Sequence, residues 1–325
     1  MRFVLKRLAY YIIAFWAALT LNFVLPRTMP GDPATTLFAN FKGTMRPDQL
    51  RALKNAYGLN GAPLPAQYVT YLGNVLHGNL GISLSQFPSP VSEVIANGLR
   101  WTLLLGLTSV ILSFAIGSGI GAIVGWLRGG LADSIVPPLI LLVGSFPAFF
   151  FALITVYFAA VILGWFPQSH AYGDTVIPGF SVTYVLSVAD HLILPAGTIV
   201  AVSLAGWLIR MRNTMIGVLA EDYLTVAEAK GLSRIRILTW YAARNAMLPN
   251  ITAFGMALGF IVSGQLLTEI VFSYPGLGYQ LLQAVESLDY PLMQALFLMI
   301  TATVLVANLF VDILYARLDP RAAGE

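Results

Sequence analysis

Six stretches of the chain are almost free of charged residues and are long enough to cross a membrane as helices. A helix needs about 20 residues to span the hydrocarbon core of a bilayer. The stretches cover residues 8–26, 101–126, 135–163, 191–209, 249–271 and 291–316. The pattern predicts an all-α integral membrane protein with six transmembrane helices and a segment of about 70 residues between the first and the second.

The composition agrees with this class, since 58% of the 325 residues are hydrophobic and only 10% are charged. Soluble domains usually carry about 25% charged residues. The chain has no cysteine and three scattered histidines, and it contains no metalloprotease, P-loop or dinucleotide-binding motif. His170, Tyr172 and Asp174 lie close in sequence, but three such ligands without supporting partners make a weak metal site. We therefore expect no catalytic residue and no metal site.

The N-terminus has a basic head followed by an apolar run, Leu8 to Leu25. A cleaved signal peptide is the competing interpretation. The run is longer than the usual apolar core of a signal peptide, and no clear cleavage site of small residues follows it. We therefore expect a retained first helix.

Lysine and arginine are distributed unevenly between the segments that connect the spans. With the N-terminus inside, 12 of the 18 basic residues lie on the inner side, and the connections 164–190 and 272–290 have none. The positive-inside rule then places both termini in the cytoplasm and predicts a multi-pass protein of the plasma or inner membrane. The basic residues cluster at the ends of apolar runs, which does not indicate a nucleic-acid partner.

The segment 27–100 would then lie outside. It predicts one short helix ending near Gly58 and a second ending near Gly78, with Tyr68 and Tyr71 on one face of the second. These helices either pack on the ends of the spans or form a docking surface for an external partner, and the pattern is compatible with both.

The polar stretch EDYLTVAEAKGLSRIRILTWYAARNAMLPN, from Glu221 to Asn250, joins the fourth and fifth spans. Acidic residues suit the start of its first helix, Gly231 predicts a left-handed turn after it, and Ser233 can cap a second helix that ends near Met247. We call residues 217–247 the elbow. Anionic lipid is one partner for its charge. A groove in another protein is the other, and it would accept the apolar side chains of Leu224, Ala227, Leu232, Ile235 and Leu238.

Short motifs along most of the chain carry a family resemblance. EDYLTVAEAKGL followed by RNAMLP resembles the EAA loop of permease subunits of binding-protein-dependent ABC importers, within the oligopeptide, dipeptide and nickel branch. Further signatures of that branch stand here as PGDPA, YGLN, GNLGISL, LGWFP, EIVFSYPGLG, DYP and NLFVDILYARLDPR. Two positions depart from the family, since Asn79 stands where an acid is frequent and Tyr241 where a histidine is frequent.

The resemblance implies the type I ABC importer permease fold. It divides the chain into a first helix with an external helical segment (residues 1–97), a permease core of five helices (98–316) and a cytoplasmic tail (317–325). The family's contact with the ATPase falls on one continuous part of the elbow. These residues are Glu221, Asp222, Tyr223, Ala227, Ala229, Lys230, Gly231 and Leu232.

The resemblance also implies partners: a second permease subunit, two ATPase subunits, an external substrate-binding protein and membrane lipid. The chain itself would be no enzyme and would bind no cofactor, because ATP and Mg belong to the ATPases. Peptides are the expected cargo, with oligosaccharides, nickel chelates or glutathione as alternatives. A secondary transporter is a remote alternative, since inverted repeats are not visible and acids within the spans are scarce.

Several residues in or near the spans are candidates for structural or gating roles. Pro147 predicts a break in the third span, as a packing kink or as part of a path. Glu269 and the turn after it suit a gate, a helix-end anchor or a substrate contact, whereas Asp312 suits a polar tie between inner helix ends near Arg317, or a relay. The full set is Pro147, Glu269, Pro275, Gly276, Gly278, Asn308 and Asp312. Gly117, Gly119, Gly121 and Gly125 indicate close helix packing.

Overall fold

The computed structural model describes residues 2–30, 48 and 63–318. The predicted helix that ends near Gly58 lies outside these residues. Where the chain is described it is helical, apart from loops and one isolated bridge. In chain order the helices are α1 (Arg2–Thr28), α2 (Leu64–Leu76), α3 (Val91–Trp126), α4 (Leu131–Gly144), α5 (Ala148–Thr155), α6 (Val182–Val218), α7 (Asp222–Ala229), α8 (Arg234–Arg236), α9 (Arg244–Ala246), α10 (Leu248–Gly259), α11 (Ile261–Gly264), α12 (Leu266–Val271), α13 (Leu277–Glu286) and α14 (Tyr290–Leu318).

The all-α membrane class is confirmed. Four described helices are long and apolar enough to cross a membrane: α1, α3, α6 and α14. Helix α4 and the run Ala148–Ile162, which continues α5 as a π-helix, form a fifth span if the pair is counted as one, and they are bent by 93°. Pro147 lies directly before α5, and it marks the break between α4 and α5 that the sequence predicts.

The predicted fifth span, 249–271, is not a single helix. It is divided into α10, α11 and α12 by breaks at Phe260 and Gln265. No piece alone has the length of a membrane span, so the count of six spans stays a prediction. Glycines at positions 259 and 264 precede the two breaks, and glycine weakens a helix because it gains the most conformational freedom on unwinding.

The two longest helices extend well beyond the spans predicted within them. Helix α6 has 37 residues and α3 has 36, which correspond to about 55 Å at 1.5 Å per residue. The hydrocarbon core is only about 30 Å thick. The hydropathy pattern therefore predicts only the apolar part of each helix. The rest of each helix extends beyond the hydrocarbon core.

The chain forms two compact units. In the first, Met1–Thr102 with Pro275–Glu325, α1 packs along α14 and α2 packs on α1. The guanidinium of Arg27 lies 3.7 Å from the ring centre of Phe23 and donates to Gln67. Tyr68 lies edge-on to the same ring, and its hydroxyl is 2.7 Å from Oγ1 of Thr20.

Tyr71 also packs on α1, with its ring centre 5.7 Å from that of Phe23. Burial raises the pKa of Tyr71 to about 12. The packing interpretation of Tyr68 and Tyr71 is thus confirmed, whereas the docking interpretation of this segment stays a prediction. Leu64, Val69 and Leu76 are exposed.

The second unit, Leu103–Tyr274, is organised around α6, which packs against α4, α5 and α10. Glycine residues permit the closest approaches between these helices. A methyl carbon added to Gly117, Gly121 or Gly125 of α3 would lie 2.5–2.8 Å from atoms of α6. One added to Gly144 of α4 would lie 2.5 Å from Cβ of Ala205. Three of the four glycines predicted to pack closely do so, whereas Gly119 faces open space.

We expect Gly121→Ala to destabilise the protein. The added carbon would lie 2.5 Å from the carbonyl oxygen of Leu208 and 2.8 Å from Cβ of Met211, so α3 and α6 would have to separate at a cost of about 1–3 kcal/mol. Thermal unfolding in nanodiscs measures the loss. Gly119→Ala is the matched control on the same helix and should keep or raise the midpoint, because alanine favours helix. Equal losses in both variants would contradict the assigned contact.

Candidate functional site

The first arm of the elbow is α7, and it ends in a glycine turn. Gly231 has φ +73°, and its N–H donates to the carbonyl of Glu228. The N–H of Leu232 reaches back to the carbonyl of Ala227. This pair of bonds is the Schellman motif, which requires a left-handed residue at the position of Gly231. The predicted turn is confirmed.

The second arm runs from Arg234 through α8, a π-helix (Ile237–Ala243) and α9. Ser233 occupies the capping position, but its side chain makes no capping hydrogen bond in the described structure. The predicted extent of this helix is right, and the expected cap is wrong. The π-turn was not predicted, because it depends on how the arm packs rather than on a residue type.

The two arms enclose a small apolar core. Leu224 and Ala227 of α7 are 4% and 3% exposed, and they pack with Met211 and Met215 of α6 and Ile237 of the second arm. Leu232 and Leu238 are partly buried against the same core. The prediction that these side chains enter a partner's groove is wrong for Leu224 and Ala227, which are buried within the chain. Spacing along a helix does not reveal which face the rest of the chain covers.

The exposed apolar side chains of the elbow are Ile235, which belongs to the predicted set, and others outside that set. Ile235 is 75% and Trp240 is 67% exposed, and Val226 and Tyr223 are exposed as well. Among the predicted ATPase-contacting residues, Glu221, Asp222, Ala229, Lys230 and Gly231 are also exposed. The elbow therefore presents large apolar groups together with charges of both signs.

A side-chain hydrogen bond fixes the angle between the arms. The amide Nδ2 of Asn245 donates to the hydroxyl of Tyr223 and to the carbonyl of Tyr241, each at 2.9 Å. Asn245 and Trp240 were not singled out in the sequence. The Tyr223 partner of Asn245 lies on the other arm, and the exposure of Trp240 depends on how the arms pack, so no local pattern marks either residue.

Buried polar side chains connect α10, the helix that follows the elbow, with α3 and α6. Asn250 lies in the first turn of α10 and is fully buried. Its Nδ2 donates to Oγ of Ser118 on α3 at 2.8 Å and toward the carbonyl of Trp207 on α6. The indole of Trp207 donates to Oγ of Ser113 on α3. Polar groups within a membrane span are stabilised by such bonds between helices. The helix that follows the elbow is thus joined to α3 and α6 by side chains with fixed partners.

An ion pair lies at the ends of α4 and α6. Nε of Arg212 contacts Oδ1 of Asp133, and the N–H of Gly129 donates to Oδ2 at 3.0 Å. Asp133 precedes Arg212 by 79 residues, so the pairing could not be read from the sequence. It fixes the start of α4 to the end of α6, next to the elbow.

The remaining candidates lie outside the elbow in sequence. Glu269 of α12 is 1% exposed, and α12 packs on α5. Burial, followed by the charge of Glu269, raises the pKa of Tyr274. The predicted tight turn is present and has Ser273 at φ +46°. Pro275 follows it, and Gly276 and Gly278 lie at the start of α13.

Asp312 forms the expected polar tie with a different partner. Its carboxylate accepts from the hydroxyl of Tyr11 at 2.7 Å and lies 3.1 Å from Nη1 of Arg7 on α1. The side chain of Arg317, the expected neighbour, lies outside the described residues. Asn308 is half-buried on the same helix.

Potential metal ligands are scattered over the described ranges. No group of three or more His, Asp or Glu side chains lies close enough there to hold an ion. The side chain of His170 is next to that of Ser169, and Tyr172 packs edge-on to Tyr184. What the site offers is an exposed surface of apolar and charged side chains on a hydrogen-bonded framework.

Comparison with known proteins identifies the family of the chain. Residues 117–324 match the family described as the inner membrane component of binding-protein-dependent transport systems. Residues 1–95 match the N-terminal membrane component of the same systems. The chain belongs to this family, and its fold is that of a type I ABC permease.

Relatives extend over nearly the whole chain. The dipeptide transport system permease protein DppB of Escherichia coli K12 is 33% identical, over 99% of this chain and 98% of its own. The di/tripeptide permease DppB of Pseudomonas aeruginosa is 34% identical, and the oligopeptide permease AppB of Bacillus subtilis is 33% identical, each over 98% of both chains.

Proposed function

We propose that this chain is the transmembrane subunit of an ATP-driven importer and forms, with a sister permease, a path for oligopeptides or dipeptides. The match over nearly the full length to permeases named for peptides carries the proposal. An external substrate-binding protein delivers the cargo. Since this chain supplies the path and not the selection, its own residues are not expected to reveal the cargo.

The elbow is proposed as the contact with the ATPase subunits, which bind ATP and Mg. Its support is a surface with Tyr223, Val226, Ile235 and Trp240 exposed beside the charged residues of α7 and the turn. A partner covering such a surface would bury large apolar groups at the centre of a polar rim, as protein interfaces commonly do. The Schellman turn, the Tyr223–Asn245 bond and the buried core hold this surface in one shape.

ATP-driven closure of the ATPases would move the elbow, and the bonds of Asn250 would pass that movement to α3 and α6 as a rigid-body shift. Glu269, buried beside α5, suits a helix-end anchor better than a direct contact with cargo. Asp312 suits a tie between α1 and α14. Both assignments are part of the proposal.

The orientation follows from the basic residues and puts the elbow and both termini in the cytoplasm. The segment between α1 and α3 then lies outside, where exposed side chains of α2 are available to the binding protein. The lipid bilayer surrounds the apolar surfaces of α1, α3, α6 and α14. The division into residues 1–97, 98–316 and 317–325 is retained as the proposed domain description.

The cargo is predicted to be peptide. The measurement is mass spectrometry of the small molecules retained by the substrate-binding protein that the assembled transporter captures. Uptake of a labelled dipeptide should then compete with the identified ligand and stop when ATP is depleted while the ion gradient is kept. Retained oligosaccharide, nickel chelate or glutathione would overturn the choice of cargo, and uptake driven by the ion gradient alone would overturn the importer class.

Gly231→Val is predicted to weaken ATPase association and largely stop uptake, with abundance nearly normal. Valine at φ +73° strains the backbone by about 1–2 kcal/mol, and no atom within 4 Å of the added Cβ opposes it within the chain. Pull-down of the ATPase and uptake of labelled cargo measure the effect. Gly231→Asn should retain most activity, since asparagine tolerates the left-handed region.

The matched charge control is Arg236→Gln, at an exposed position of the second arm. It should change little, because exposed ion pairs contribute about 0–1 kcal/mol. Wild-type uptake by Gly231→Val would remove the basis for assigning the ATPase contact to the elbow.

The topology is predicted to be visible by cysteine labelling, since the chain has no cysteine of its own. Asp174→Cys and Ser233→Cys introduce thiols at exposed positions. In sealed cells, an impermeant maleimide should label the first and not the second. Labelling of Ser233→Cys from outside would put the elbow on the wrong side for an ATPase. Permeabilised cells, in which both should react, control for accessibility.

A further inference from the structure

A short loop between α2 and α3, residues 79–90, is closed by its own backbone. The N–H of Val91 donates to the carbonyl of Gly81, and the N–H of Ser83 donates to the carbonyl of Ser89, each at 3.0 Å. Such cross-links leave the loop few internal degrees of freedom. It can therefore move as one piece.

The carboxylate of Asp289 joins this loop to the start of α14. Asp289 is fully buried. Its Oδ1 accepts from the N–H of Leu292 at 3.1 Å, which caps α14. Its Oδ2 accepts from the hydroxyl of Ser83, and from the N–H and the hydroxyl of Ser85 at 2.9 and 2.8 Å. One side chain thus holds two segments that are more than 200 residues apart in sequence.

The chemistry of this site requires a carboxylate. Each oxygen of Asp289 faces a backbone N–H, that of Ser85 on one side and that of Leu292 on the other. Asparagine has one acceptor oxygen, so either orientation of its amide leaves one N–H facing an NH₂ group. Burying a carboxylate is costly unless its hydrogen bonds are satisfied. A purely apolar contact would join the segments without that cost but would not fix their relative position.

The loop exposes apolar groups beside this joint. Ile82 and Phe87 are each 40% exposed. Gly81 lies against the first turn of α14, since a carbon added there would be 3.6 Å from Cβ of Pro291. Helix α14 has 29 residues and is about 43 Å long. A displacement of the loop would therefore be passed to a helix that crosses the membrane.

We propose that Asp289 is a positioning residue for the coupling of binding-protein docking to transport. It locks the 79–90 loop to the first turn of α14, so that docking of the binding protein on the loop moves α14. The inference rests on the proposed function for the existence of an external binding protein. It adds the site of contact and the residue that makes the contact effective.

The test uses the transporter assembled in nanodiscs with its sister subunit and its ATPases. The substrate-binding protein that this transporter captures is added in the form in which it is isolated. ATP hydrolysis is measured with and without that protein. Asp289→Asn leaves one buried backbone donor unsatisfied, which shifts the joined-to-separated ratio by roughly tenfold or more. The increment in ATPase rate caused by the binding protein should fall by up to the same factor, because the increment follows the fraction of molecules in which the loop and α14 stay joined. The basal rate should stay close to wild type, and the unfolding midpoint should fall by no more than a few degrees.

Ser287→Ala is the matched control. Ser287 lies two residues before Asp289, but its hydroxyl donates to the carbonyl of Gln283, within the same turn of chain, and not to the loop. Stimulation should therefore be unchanged. The double variant Ser83→Ala with Ser85→Ala also weakens the joint between the loop and α14. It removes the two hydroxyl donors of the loop and keeps the carboxylate of Asp289. It should also lose stimulation, and it serves as the test if Asp289→Asn fails to assemble.

A disulfide provides the rescue. Gly81→Cys with Pro291→Cys places two Cβ atoms within the 3.5–4.5 Å that disulfides require. Added to Asp289→Asn, the oxidised pair should restore stimulation, and dithiothreitol should abolish it again. The same cysteine pair with Asp289 intact controls for strain at Gly81, whose φ is +81°.

Three results would overturn the inference: normal stimulation in Asp289→Asn, a basal rate that falls together with the unfolding midpoint, or an oxidised pair that forms without restoring stimulation. Failure of the cysteine pair to cross-link would contradict the proximity of the loop and α14. A wild-type transporter that ignores every binding protein would instead overturn the proposed function, before any variant is compared.

Discussion

The close approach of α3 and α6 is the constraint on which the rest of the second unit depends. Gly117, Gly121 and Gly125 lie on one face of α3 and bring its backbone against α6. Helices within lipid gain little from hydrophobic burial against each other, so close packing of small residues is a main source of their association. Met211 and Met215 follow on the same side of α6 and form the base of the elbow's core. The position of the elbow is therefore set by the glycine contact within the membrane.

Polar side chains determine how movements can pass through this framework. Asn250 lies fully buried at the start of α10 and bonds to α3, with a weaker contact to α6. At the other unit's helix pair, Asp312 ties α14 to α1 through Tyr11 and Arg7. Apolar contacts alone would let helices slide, because many registers have similar energy. Directed bonds select one register, so the helices respond to a load as rigid bodies.

Local features were predictable from the sequence because one residue type determines each of them. Gly78 and Gly231 both end helices in the left-handed conformation, and Pro147 breaks a span. Contacts between distant parts of the chain were not predictable. The burial of Leu224 depends on α6 and on the second arm. The Ser83–Asp289 and Arg212–Asp133 pairs join residues far apart in sequence, and no pattern along one helix marks them.

Leu224 and Ala227 were assigned to a partner's groove but lie in the elbow's own core. The physical reason for their burial also bears on the proposed role of the elbow. An elbow that bound a partner with its whole apolar side would have no core of its own in the absence of that partner, and its angle would vary. Here Leu224, Ala227 and Ile237 stabilise the angle from within. Ile235 and Trp240, which are exposed on the second arm, remain for the proposed contact with the ATPase. A preformed surface loses less conformational entropy on binding than one that must be ordered by its partner. It can also transmit force in either direction, because the joint does not loosen when the partner shifts.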